Sequence, residues 1–281
     1  MTQIGFSLEQ HYDCPVSQVI DYLKDAGFSA VSPVWSKELD LHNIANCADK
    51  NNMLIQSLHA PHGGLYYLWN SKEQLSLEFQ KNITDCIDDC SKYRIPLIVM
   101  HGWQGLDYVF PDTLLDFNVF DRIVDYAEKK GIYIAFENLE GEEYLDQLMK
   151  RYKDCSLVRY CWDSGHDHCY PHKSNFLDAF GDRLIMTHIH DNLGLRSPDG
   201  IPSACDDLHF LPFDGNINWK KEILRLKHLP KQKILNFELK KRSASTASYD
   251  LIYNNLSTEE FINLAGQRAR KIANIYKKII K

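Results

Sequence analysis

Residues 131–141 read GIYIAFENLEG. Gly131 follows Lys129 and Lys130 at the end of an amphipathic stretch, which is how a helix stops. From Tyr133 to Phe136 the chain is a short apolar run, and Glu137 closes it with a carboxylate. A continuous apolar run of this length suits a parallel strand covered on its outer face by helices. The same pattern recurs along the chain. Ile4–Leu8, Ala30–Trp35, Leu54–His59, Leu97–Met100, Val158–Trp162, Ile185–Ile189 and Ile234–Leu239 read as strands, and Tyr133–Glu137 makes eight. Helical patterns lie between them at Val16–Ala26, Ser71–Tyr93, Thr113–Lys130 and Glu222–Lys227, with a last one at Thr258–Ile279. Ser71 with Gln74 spells a capping box at the start of the second of these.

Eight strand–helix alternations in 281 residues predict an α/β fold, a (β/α)8 TIM barrel forming one domain over residues 1–281. No linker rich in Pro, Gly or Ser divides the chain. The alternative, an open doubly wound sheet, lacks the glycine-rich turn expected after its first strand. The widest gap, from Asn192 to Leu229, reads as a long loop after the seventh strand.

Composition narrows the function classes. The chain is 44% apolar and 25% charged, with 32 basic and 38 acidic side chains and a net charge of −6. That apolar content excludes disorder as the main state. The mild acidity argues against a general nucleic-acid binder, because phosphate affinity comes from Lys and Arg. No cationic stretch leads into an apolar run at the start, and no segment is apolar enough to span a membrane. The eight cysteines form no CxxC pair, so reduced thiols in a cytoplasmic protein are the expectation. Cys86 and Cys90, one helical turn apart, read as buried packing.

The chemistry gathers at the strand ends. His59 ends the third strand in SLHAPHGG, His101 the fourth in VMHGW and Glu137 the fifth. Asp163 ends the sixth in YCWDSGH, His188 the seventh in MTHIHDN and Glu238 the eighth in NFELK. A barrel brings those ends to one mouth. Converging carboxylates repel unless a cation neutralises them, and this donor set suits Mn²⁺, Mg²⁺, Co²⁺ or Zn²⁺. His166 joins the set from just past Asp163, as do Asp207 and His209 from DDLHFLPFDG in the long loop. A separate zinc knot from His166, Asp167, His168, Cys169 and His172 matches no zinc spacing. Trp35, Tyr66, Tyr67, Trp69, Trp103, Phe136 and Phe210 crowd the strand ends, as core and rim packing or as a stacking wall for a sugar ring.

In order and position these motifs resemble the xylose-isomerase-like barrel superfamily, which holds sugar phosphate isomerases and epimerases and endonuclease-IV-type enzymes. The resemblance rests on HAPH, MHG, FEN, DxxH, HIHDN, DxH…FDG and FEL, and it runs from IGFSLE to NFELK. In the isomerase branch it implies one divalent cation held by Glu137, Asp163, His188 and Glu238. His190 competes with His188 for its place. It also implies Glu137 and Glu238 as the catalytic acid–base pair, with His59, His101, His166, Asp207 and His209 meeting the substrate. The reaction would move a proton between adjacent carbons of a small sugar or sugar phosphate through a cation-stabilised enediolate.

Two alternatives follow from the same resemblance. The repair branch binds three zinc ions with nine ligands, and His59, His101, Glu137, Asp163, His166, His188, Asp207, His209 and Glu238 match all nine. Against it, the loops after the first three strands carry no arginine, and His62 stands where the repair enzymes have an aromatic. The other alternative is a barrel that has lost catalysis and only binds a ligand. The expected partner is a small sugar, with no membrane and no nucleic acid, and a homo-oligomer is compatible with the reading.

Overall fold

The computed structural model describes residues 2–8, 12–170, 172–241 and 252–280. Strands β1 (Gln3–Leu8), β2 (Ala30–Pro33), β3 (Leu54–Ile55), β4 (Leu58–His59), β5 (Leu97–His101), β6 (Tyr133–Glu137), β7 (Val158–Asp163), β8 (Leu184–His188) and β9 (Ile234–Phe237) alternate with helices. The helices are α1 (Val16–Asp25), α2 (Leu41–Lys50), α3 (Gln74–Tyr93), α4 (Asn118–Lys130), α5 (Glu142–Arg151), α6 (Ser164–Cys169), α7 (Phe176–Phe180), α8 (Trp219–Arg225) and α9 (Thr258–Ile279).

Every strand ladder is parallel. The ladders form two arcs, β3-β2-β1-β9 and β4-β5-β6-β7-β8. Single bridges, Val34 to His59 and Ile189 to Phe237, join the arcs at both seams and close the ring. The fold is therefore the TIM barrel. β3 and β4 occupy one barrel position. The expected strand Leu54–His59 breaks at Gln56 and Ser57, so its first half pairs with β2 and its second with β5.

Most of the core lies between strands and helices, where Phe6, Phe28, Ile98, Phe120, Phe136 and Trp162 are fully buried. A smaller cluster, Leu97, Val99, Ala135, Cys161 and Met186, packs separately. Its members alternate along their strands with residues of the larger cluster, as the period of two requires, and so fill the inside of the ring. That parity carries to the strand ends. His101 follows Leu97 and Val99, Glu137 follows Ala135, Asp163 follows Cys161, and His188 follows Met186. These side chains therefore project inward at the mouth.

Three local expectations need correction. Helix α3 starts at Gln74 with Glu73 before it and no side-chain cap. Ser71 instead donates its backbone N–H and its hydroxyl to Asp116, so it ties two loops together rather than capping a helix. The stretch from Thr113 is loop until α4 begins at Asn118, and the helix expected at Glu222–Lys227 is α8, which runs from Trp219 to Arg225 within the gap from Asn192 to Leu229, where a short turn also forms at Ala204–Asp206. Gly131 does close α4, in the left-handed conformation with φ of 68°. All eight cysteines are free thiols, and Cys86 and Cys90 are buried. No helix among the described residues is long and apolar enough to cross a membrane.

Candidate active site

Glu137, Asp163, His188 and Glu238 meet at the mouth, with one candidate ligand atom from each lying within 4.8 Å of all the others. His188 Nδ1 sits 2.9 Å from Glu137 Oε1 and 2.7 Å from Glu238 Oε2. The two glutamates thus approach one imidazole from strands on either side of it. His101 Nε2 and His59 Nε2 stand 3.2 and 3.4 Å from the other Glu137 oxygen.

Neighbouring backbone and amide groups fix this arrangement. Asn138 accepts from the Asp163 N–H and the Tyr160 hydroxyl and donates to the Asp163 carbonyl, each at 2.8 Å. It locks the ends of β6 and β7 in register. Asp163 Oδ1 caps α6 by accepting from the His166 N–H at 2.6 Å, which leaves Oδ2 turned elsewhere. His59 donates Nδ1–H to the Ala60 carbonyl at 2.8 Å, so its Nε2 faces Glu137 as a lone pair. Asp191 anchors the long loop. Its two oxygens accept from the N–H groups of Asn192, Phe213 and Ile217 and from the Trp219 indole, at 2.8–3.1 Å.

The charges are strongly coupled. Burial pushes the Glu137 carboxyl up, but His188 and His101 outweigh it and hold the group well below its ordinary value. Burial acts likewise on Glu238 and is overcome by His188, and on Asp207, where His209 and His166 overcome it. Burial pushes His188 down, yet Glu137 and Glu238 lift it well above the usual imidazole range. His62 behaves in the opposite way. Burial, with His59 and His101 beside it, drives it down to about 3.

The donor set fits a divalent cation. Glu137 Oε2, Asp163 Oδ2 and Glu238 Oε2 are buried with no aligned hydrogen-bond donor. Unmet carboxylate oxygens converging in a dry site are costly, and a cation removes that cost. Three further groups with ligand-like spacing adjoin it: His59–Glu137–His188, His59–His62–His101 and His166–His190–Asp207–His209. All nine residues singled out in the sequence therefore lie at one mouth. The discounted zinc knot is dispersed. His168 pairs with Asn216, and His172 lies beside Glu142.

A cleft of about 180 Å³ opens over these groups, lined by His59, His62, His101, Gln104, Leu139, Glu140, Tyr170, Lys240 and others. A larger cavity of about 400 Å³ at the opposite end, between Tyr133, Arg159, Gln232 and Ile234, holds none of the ligand-like groups. Of the two readings of the strand-end aromatics, packing is the one met at Trp35, Phe136 and Trp69. Trp35 donates to Asp89, Phe136 is core, and Trp69 packs on Phe120 and Tyr144. The aromatic that reaches the cleft is Tyr170, stacked on His166 with ring centroids 5.8 Å apart. Tyr170, Asn138 and Asp191 have no role in the motif reading of the site, which names His62 only as a departure from the repair enzymes and His190 only as a competitor for the place of His188. The signal for His190 was present, since it stands two residues after His188 and so on the same strand parity.

A family model described as "Xylose isomerase-like TIM barrel" matches residues 20–259. Among solved structures, the chain is similar to the IolI protein "with a binding zinc atom", at TM-score 0.73, 18% identity and 99% coverage of each chain. It is also similar to D-psicose 3-epimerase with D-tagatose from Clostridium cellulolyticum H10, at TM-score 0.66, 15% identity and 100% coverage of each. At such identities the likeness is one of fold. An uncharacterised protein of Sinorhizobium fredii is 38% identical over 110 residues, 37% of this chain and 32% of that one. An uncharacterised protein of Methanocaldococcus jannaschii is 24% identical over 187 residues, 60% of this chain and 59% of that one. The matches thus span about a third and about three fifths of these relatives' lengths.

Proposed function

Since the chain belongs to the xylose isomerase-like TIM barrel family, we propose that it is a divalent-metal-dependent isomerase or epimerase of a small sugar or sugar phosphate. The observation that carries this reading is the pair of glutamates, Glu137 and Glu238, flanking His188 Nδ1 at 2.9 and 2.7 Å. Transfer of a proton beside a carbonyl needs one group to take it and one to return it. Two carboxylates on different strands, both ionised, meet that need from two directions.

Glu137, Asp163, His188 and Glu238 would hold the cation. When bound, a divalent cation polarises a carbonyl and offsets negative charge developing on it. One glutamate removes the proton from the carbon next to the carbonyl. For epimerisation the second glutamate, having taken a proton from water, delivers it to the opposite face; for isomerisation the first glutamate returns its own proton to the neighbouring carbon while the substrate hydroxyl proton moves to the carbonyl oxygen. His59, through its Nε2 lone pair, would accept from a substrate hydroxyl, His101 beside Glu137 would bond another, and Tyr170 would cover an apolar face. The neighbours named D-psicose 3-epimerase and 3-keto-D-glucoside 4-epimerase are consistent with this chemistry.

A second reading is phosphoester cleavage, favoured by the nine ligand-like residues lying in adjoining groups. Against it, Lys240 is the one fixed cation among the described residues lining the cleft. Two assays on one preparation separate the readings. One follows solvent deuterium entering a panel of ketoses, and the other follows cleavage of an oligonucleotide with an abasic site. Metal-dependent exchange without cleavage is expected. Cleavage without exchange would replace the isomerase reading by the hydrolytic one.

A further inference from the structure

We propose that the cavity at the end of the barrel remote from the mouth binds a small phosphate monoester, held by Arg159, Lys231 and Lys233. These three basic side chains line one cavity of about 400 Å³, a volume that suits a small organic ligand better than a bare ion. Among the described residues none of the three forms an ion pair or a side-chain hydrogen bond. The cavity shares no residue with the mouth, so the inference is independent of the proposed reaction.

Strand parity places the arginine. Tyr133, Ala135 and Glu137 project inward from β6, and Arg159, Cys161 and Asp163 do so from β7. Glu137 and Asp163 stand at the mouth. Tyr133 and Arg159 stand four residues earlier on the same strands, roughly 13 Å away at about 3.3 Å per residue. Two arginines near this end behave differently. Arg183 donates to the carbonyls of Met149, Tyr152 and Val158 at 2.7–3.2 Å, so it ties chain segments together. Arg159 lies over the Tyr133 ring, 5.8 Å from its centroid, and its Nε is buried with no acceptor. It thus makes no bond that would explain it as a structural residue, and a partly buried guanidinium is costly until an anion joins it.

Lys231 and Lys233 flank Gln232, which is held firmly. Its N–H donates to the Tyr276 hydroxyl at 2.8 Å, and its side-chain amide donates to the Pro230 and Leu184 carbonyls at 2.8 and 3.3 Å. Both lysines therefore start from a fixed segment beside the cavity. Asp182 is the one carboxylate among the described residues of the lining, and it pairs with none of the three cations. Three cations less one carboxylate leave a formal charge of +2 on a chain whose net charge is −6. A phosphate monoester carries about −1.5 to −2 at neutral pH, and its oxygens match the fork of a guanidinium. Leu184, Ile185, Ile234 and the Tyr133 ring supply apolar wall for the rest of the molecule.

The test titrates the unmodified chain with glycerol 3-phosphate, by calorimetry and by the unfolding midpoint. Ionic strength is held fixed, because salt screens exposed charges. Saturable binding is expected, tighter than that of inorganic phosphate, with no comparable response to malate, a dicarboxylate of similar charge. Arg159→Gln should weaken binding by about 10- to 100-fold, the usual worth of hydrogen bonds to a charged group, and keep the parent's unliganded midpoint. The double variant Lys231→Gln, Lys233→Gln changes only exposed positions and should also weaken it, which covers the case of an Arg159 variant that fails to fold. Glu238→Gln, altered at the mouth, should bind as the parent does. A response that never saturates overturns the proposal, as does parental affinity in both cavity variants. Binding lost in Glu238→Gln but kept in Arg159→Gln would put the phosphate at the mouth instead. Malate binding as tightly as glycerol 3-phosphate would overturn the choice of ligand.

Discussion

Glu238 contributes an ionised, partly buried carboxylate that faces His188 and lines the cleft. Replacing it with glutamine keeps the shape and removes the proton acceptor. Turnover of Glu238→Gln should fall by about 10²–10⁴-fold, the usual worth of a positioned acid or base. A variant with parental turnover would place the proton transfer elsewhere. Gly165 tests the packing behind the site. A methyl group there meets the His190 ring at distances no real Cβ shows, so Gly165→Ala should destabilise the protein by about 1–3 kcal/mol in urea unfolding. Asp191 gathers four donors on two oxygens. Asparagine would oppose a donor to donors already in place, costing about 1–3 kcal/mol in the same experiment. Loss of less than a few tenths of a kcal/mol would mean that the loop is held without it. The sequence displayed Glu238 as a strand-end residue. It gave no sign that Asp191 is a structural hub, because its partners lie between one and 28 residues away in an irregular segment.

At the level of the element, α9 shows local and tertiary signals agreeing. Ser257 accepts from the Glu260 N–H while Glu260 reaches back to the Ser257 N–H, a complete capping box, and the predicted range Thr258–Ile279 is the observed one. Ser257→Ala should cost about 1 kcal/mol, read from chemical denaturation. The same motif at Ser71 and Gln74 is not a cap, because Asp116, 45 residues away, takes both Ser71 donors. Capping chemistry and loop-tying chemistry use the same groups, and only the fold decides between them. Asp116 then makes a pH prediction. Burial pushes its carboxyl up, but Ser71 and Asn118 donate to it and hold it below its ordinary value. A carboxyl with a lowered folded value contributes stability above its unfolded value of about 3.9, and that contribution is lost as pH falls through the folded value. Asp116→Asn should therefore be less stable than the parent at neutral pH, with a shallower loss below about pH 4. Parallel stability curves for the two proteins across that range would show that the contact adds nothing.

For the whole molecule, the mouth concentrates Glu137, Asp163, Glu238 and Asp207 among six buried imidazoles. Whatever binds the folded state alone stabilises it by mass action. A cation held at a thousand times its dissociation constant adds about 4 kcal/mol. Chelation should lower the unfolding midpoint and readdition of Zn²⁺ or Mn²⁺ should restore it. An unmoved midpoint would mean that the acidic groups are neutralised by protons alone.

The sequence by itself determined the alternation of strands and helices and which residues stand at the strand ends. Apolar runs are local properties of the chain, whereas the inward projection of those residues follows from which strand positions fill the inner cluster. Tyr133–Glu137 was legible to the residue, and six of the inward polar groups were named from strand ends alone. Only the tertiary structure decided that Leu54–His59 splits where one arc of the sheet gives way to the other, since that break answers to β2 and β5 rather than to its own residues. Only the tertiary structure, too, sorted the imidazoles into groups, set His190 against Gly165 and put Tyr170 rather than a tryptophan over the cleft. Distances between strand ends depend on how the ring closes at the Val34–His59 and Ile189–Phe237 seams. Closure is a property of all the strands at once, and no window of sequence contains it.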